Sequence, residues 1–136
     1  MEKLNYRLEK YLEYERSKDI ETLRMAYEKA KTALITEQTE SAQKELFDAA
    51  EKYFTAFVQN YMDSVVRERN YDSVHTCVGT YLDSPVKRFA GEAALVKDWV
   101  SYVWEKCYAI MDDVKAGTRD FPTEESLIEE LPKLDW

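Results

Sequence analysis

The sequence predicts an all-α fold, a small bundle of about five to six helices. Three observations carry this reading. Only 3 Gly and 3 Pro occur in 136 residues, while Glu, Lys, Ala and Leu are frequent, so helix breakers are scarce. Apolar residues recur three and four positions apart over long stretches. No run alternates apolar with polar residues, and no Asn-Gly or Asp-Gly pair offers a hairpin turn. With 45% of residues apolar, a chain of this length can bury roughly two thirds of its unfolded surface without disulfides or metals.

The elements follow in order. Leu4, Leu8, Tyr11 and Leu12 share one face of a first helix that is expected to end near Ser17. Asp19 can cap a second, in which Ile20, Leu23, Tyr27, Ala30 and Leu34 form a stripe. Residues 3–36 therefore read as a helical hairpin. Thr39 or Ser41 can cap a long third helix over about 42–69. Leu46, Ala50, Tyr53, Phe57, Tyr61 and Val65 line one face of it, and Phe54, Val58 and Met62 widen that face. Asn70-Tyr71-Asp72 interrupts the pattern, and Asp72 or Ser73 caps a short helix from Val74 to Tyr81. Ser84 and Pro85 suit the N-cap and first position of a fifth helix. Its apolar positions are Phe89, Ala93, Val96, Val100, Val103, Cys107, Ile110 and Val114, with Trp99, Tyr102, Trp104 and Tyr108 around them. Gly117 stops it, and Thr123 caps a last short helix that Pro132 ends. The long third and fifth helices are expected to be central. The expected division is an N-terminal hairpin, 1–40, for docking or oligomerisation, and a helical body, 41–136, closed by a short acidic helix.

Charge narrows the functional classes. Lys plus Arg is 19 and Asp plus Glu is 27, a net charge of −8. Residues 112–136 carry 3 basic and 8 acidic side chains, or −5 of that total. Such a chain repels phosphate, so direct nucleic-acid binding is not expected. The segment Met1–Lys10 is charged and lacks the apolar core of a secretion signal, and no run approaches the roughly 18 apolar residues of a membrane span. A membrane partner is not expected.

Catalytic constellations are not evident. GxSxG, P-loop, HExxH, EF-hand and GxGxxG patterns do not occur. His75 is the single histidine, with Asp72 or Asp83 as possible orienters. Cys77 and Cys107 form no CxxC; they read as buried thiols rather than as a metal site with His75. The expectation is a non-enzymatic protein with no catalytic, cofactor-binding or metal residues. Tyr is amphipathic and enriched at interfaces, so Tyr6, Tyr11, Tyr14 and Tyr27 are candidate contact residues. Glu124, Glu125, Glu129 and Glu130 form a second candidate surface, an acidic strip.

From about Phe57 to Leu131 the chain resembles a family of small proteins encoded by tailed bacteriophages and prophages near tail-fibre genes. The resemblance is carried by Val58-Gln59 through Met62-Asp63, Arg69-Asn70-Tyr71-Asp72-Ser73-Val74, Tyr81 and Phe89-Ala90-Gly91-Glu92-Ala93. It continues through Trp99, Trp104, Cys107-Tyr108, Val114 to Arg119, Pro122-Thr123-Glu124-Glu125 and Glu130-Leu131-Pro132. Asn70 stands where the family has Gly, and Asn is the next-best residue for a left-handed turn. The resemblance implies a tail or tail-fibre accessory, either a minor virion component or a fibre assembly factor. Its partner would be another phage protein or a host protein, with homo-oligomerisation also possible. Its place would be the host bacterial cytoplasm or the virion tail. The acidic strip supports an alternative, a small inhibitor of a host defence or nucleic-acid enzyme.

Overall fold

The computed structural model describes the backbone from residue 2 and the side chains from residue 19. The described residues form five helices in the order α1 (Glu2–Glu37), α2 (Glu40–Arg67), α3 (Val74–Tyr81), α4 (Lys87–Lys115) and α5 (Glu124–Glu130). No strand occurs among the described residues. The chain forms two compact units, Met1–Ser64 and Val65–Trp136. The division falls within α2 rather than at residue 40.

In the first unit, α1 is a single helix where the sequence suggests a hairpin within 3–36. Ser17, Lys18 and Asp19 each cost less than about 1 kcal/mol inside a helix, and neither Gly nor Pro is present to break it. The turn comes instead after Glu37. Gln38 adopts φ +46°, and its N–H bonds to the Leu34 carbonyl at 2.9 Å. Thr39 then caps α2, its hydroxyl accepting from the Ala42 N–H at 3.0 Å. The hairpin is thus made by α1 and α2. Tyr27 of α1 stacks on Tyr53 at 5.3 Å and meets Phe54 edge-on at 5.4 Å, centroid to centroid. Ile20, Leu46, Ala50, Tyr53 and Phe54 are buried with it. Along α2 the fully buried line continues through Val58 and Met62, while Phe57 and Tyr61 are half-buried. The two lines are one helical step apart, which residue spacing alone does not separate.

The second unit begins with the end of α2. Asn70 takes φ +69°, the Asn70 N–H bonds to the Arg67 carbonyl at 2.9 Å and the Tyr71 N–H to the Val66 carbonyl at 3.2 Å. This is a Schellman stop with Asn in the left-handed position. Ser73 caps α3 by accepting from the Thr76 N–H at 3.1 Å. α3 packs on α4 and buries Val74 and Cys77. α4 starts two residues later than Pro85 implies. Its N-cap is Val86, and the Ser84 hydroxyl accepts from the Val86 N–H at 3.1 Å, a turn before the helix rather than its cap.

α4 buries Ala93, Val96, Trp99, Val103, Ile110 and Val114. It ends in a second Schellman motif. Gly117 has φ +78°, the Gly117 N–H bonds to the Val114 carbonyl at 3.1 Å and the Thr118 N–H to the Asp113 carbonyl at 3.0 Å. Thr123 opens α5 with a reciprocal cap: its hydroxyl accepts from the Ser126 N–H, and its own N–H donates to the Ser126 hydroxyl. Leu127 and Leu131 are buried, and the Trp99 indole N–H donates to the Pro132 carbonyl at 2.8 Å. Arg119 pairs with Glu130 through two bonds of 2.9 Å each. No helix among the described residues is long and apolar enough to cross a membrane.

Candidate functional site

The densest polar constellation of the second unit centres on Glu92. On α4 this residue lies three positions after Phe89 and four before Val96, on the face that carries the buried residues, and it is 8% exposed. A carboxylate so placed is costly unless donors surround it. Arg69 Nη1 donates to Oε2 at 2.8 Å, the Tyr71 hydroxyl donates to Oε1 at 3.2 Å, and Arg88 Nε lies 3.5 Å from Oε1. The Schellman stop at Asn70 places Arg69 and Tyr71 one on each side of it, so both reach the same carboxylate.

Trp136 completes the cluster. Its ring stacks on Tyr71 at 6.0 Å, the Arg69 guanidinium lies over it at 5.2 Å, and Arg69 Nη2 donates to its carbonyl. Tyr71 also meets Tyr81 edge-on, and Tyr81 meets Phe89 in the same way. Burial, then the hydrogen bond to Glu92, pushes the Tyr71 hydroxyl up to about 12. Burial, then the Glu92 charge, pushes the Cys77 thiol up to about 11. Burial alone takes Cys107 to about 11. Neither thiol carries the thiolate character a nucleophile needs at neutral pH. The chemistry of this cluster is mutual satisfaction. Arg69, Arg88 and the Tyr71 hydroxyl converge on one carboxylate, and Glu92 is engaged at both of its oxygens.

The sequence-derived candidates fall in different places. Tyr6, Tyr11 and Tyr14 lie outside the described side chains. Tyr27, expected at a contact surface, is instead 4% exposed, because its ring fills the space over Tyr53 and Phe54. Glu125 and Glu129 are exposed, Glu124 is half-buried, and Glu130 is held by Arg119, which lowers its pKa. His75, Asp72 and Asp83 are exposed; Cys77 is fully buried and Cys107 half-buried. Among the described residues, no group of three or more His, Cys, Asp or Glu side chains is arranged to hold a metal ion.

The large exposed apolar side chains form a different pattern. α4 presents Leu95 (47% exposed), Tyr102 (60%) and Tyr108 (71%). Of its four crowded aromatics, Trp99 is core, Trp104 is half-buried, and the two tyrosines face out. In the first unit Met25 and Ile35 of α1 are exposed, and an open groove runs past Leu23, Lys52, Thr55, Ala56 and Gln59. Sequence reasoning missed the Glu92 cluster. The available signal was an acidic residue at a buried-face position of an amphipathic helix. Comparison with protein-family models, with curated proteins and with solved structures yields no match.

Proposed function

We propose that this chain is a non-enzymatic protein that works through protein–protein contact, and that it serves a bacteriophage tail or tail fibre as an accessory. One observation carries the first part. The helix with the most extensive buried face in the second unit, α4, also directs Leu95, Tyr102 and Tyr108 into solvent. Exposed aromatic and aliphatic side chains carried on a rigid element are what partner surfaces use as anchors. The Arg69–Glu92–Tyr71 group, by contrast, is engaged internally. The second part rests on the resemblance of residues 57–131 to small phage proteins encoded near tail-fibre genes.

The test is quantitative mass spectrometry of virions from a phage or induced prophage carrying the gene, alongside affinity capture from the same lysate. A fixed ratio to tail proteins in virions is expected for a minor structural component. Capture of a fibre protein from lysate, with none in virions, is expected for an assembly factor. Capture of a host enzyme and no tail protein overturns the tail assignment and favours the inhibitor. Substituting Tyr102→Ser and Tyr108→Ser together should weaken whichever contact is found.

A further inference from the structure

We propose that the outer face of α4 binds α4 of a second copy of this chain, antiparallel, across a two-fold axis at Tyr102. The inference goes beyond the tail assignment and does not depend on which protein the chain meets there. Taken at 100° per residue, Gly91, Leu95, Asp98, Tyr102, Lys106, Ala109 and Asp113 all fall within about 40° of Tyr102 around the helix axis. All seven are exposed. They form one narrow stripe about 33 Å long, given a rise of about 1.5 Å per residue.

The stripe is symmetric about its centre. Residues 98, 95 and 91 precede Tyr102 by the same intervals at which 106, 109 and 113 follow it. Laid antiparallel on a copy of itself, the stripe sets Asp98 against the partner copy's Lys106 and Lys106 against its Asp98. Leu95 then faces the small Ala109, so a large side chain meets a small one at each end, as interlocked helices require. Tyr102 meets its own symmetry mate, an aromatic pair on the axis. Gly91 has no heavy atom within 4 Å of where a Cβ would stand, so its end of the stripe is open to close approach. Such self-complementarity is the requirement for a two-fold interface, because each residue must suit its own mate. A parallel arrangement would set Asp98 on Asp98 and Lys106 on Lys106. An antiparallel pair also aligns opposite helix dipoles.

A partner of different chemistry would have no reason to find opposite charges at equal distances from a central tyrosine. A second copy does. A single helix face buries an area near or below the roughly 1,200 Å² of the smallest stable interfaces, so the dimer is a weak, concentration-dependent one.

Sedimentation velocity of the full chain over a range of concentrations tests this. A monomer–dimer equilibrium is expected. Asp98→Lys alone, or Lys106→Asp alone, should raise the dissociation constant by about tenfold, since each places like charges opposite one another twice per dimer. The double swap, Asp98→Lys with Lys106→Asp, should restore it. Tyr102→Ser should abolish the dimer, and Tyr108→Ser, which lies about 120° away around the helix, should leave it unchanged. Circular dichroism checks that each variant stays helical. A chain that remains monomeric throughout overturns the proposal. So does a dimer that Tyr108→Ser weakens and Tyr102→Ser does not, or one that the double swap fails to rescue.

Discussion

Glu92 shows how one side chain can tie distant parts of a chain together. Its partner Arg69 lies 23 positions away and its partner Tyr71 lies 21. Removing the Tyr71 hydroxyl in Tyr71→Phe should cost about 1 kcal/mol of stability, measured by urea unfolding, because Glu92 keeps its arginines. Glu92→Ala should cost more, about 2–3 kcal/mol, since it leaves the Tyr71 hydroxyl buried without its acceptor. The direction of the pH dependence follows from the raised values. Tyr71 titrates near 12 when folded and near 10 when unfolded, so the folded state holds the proton more tightly. Its contribution is complete below pH 10 and is lost as the pH rises from 10 towards 12. Cys77 and Cys107 act in the same direction between about 9 and 11. Alkaline unfolding followed by tyrosinate absorbance should show Tyr71 among the late-ionising tyrosines, and Tyr71→Phe should remove its share of that late step. At neutral pH, Cys77 should react with a thiol reagent only as fast as the second unit opens.

At the scale of the element, the helix ends are set by local chemistry and should respond to local change. Asn70 and Gly117 both sit in left-handed conformations at Schellman stops. Asn70→Ala and Gly117→Ala should each lose about 1 kcal/mol, and Asn70→Gly should be neutral or stabilising. Gly79 lies within α3 with open space around its Cα, so Gly79→Ala should gain about 0.5–1 kcal/mol. Thr123→Ala should cost about 1 kcal/mol through the reciprocal cap of α5. Thermal melts of the five variants check these signs. The caps at Ser73 and Thr123, the stop at Gly117 and the left-handed Asn70 were all legible because each uses partners within five residues. The hairpin within residues 3–36 was misplaced for the complementary reason. A weak helix former is no obstacle once tertiary contacts hold the helix, and Ile20, Leu23 and Tyr27 follow directly on the same helix as the doubtful segment.

For the whole molecule, Tyr27 decides how the first unit should be tested. Because its ring is built into the α1–α2 hairpin, Tyr27→Ala should cost about 3–5 kcal/mol there. Hydrogen exchange should report this as lost protection in α1 and in the Leu46–Phe54 stretch of α2. Removing residues 1–36 would strip the same contacts, so a binding defect in that truncation reports unfolding of α2 as readily as loss of a docking surface. Point changes at Leu95 and Tyr102 are the sharper probes. The helical class, the main breaks and several helix ends are readable from the residues alone, because periodicity, breakers and caps act over a few residues, and net charge is a plain sum. Tertiary structure decided the rest. It drew the boundary of the two units within α2, turned Tyr27 and Trp99 inward and Tyr102 and Tyr108 outward, and closed Arg69, Tyr71 and Trp136 around Glu92. A helical repeat offers every aromatic on its apolar side as core. Only the position of neighbouring elements, set by chain segments tens of residues away, determines which of them water still reaches.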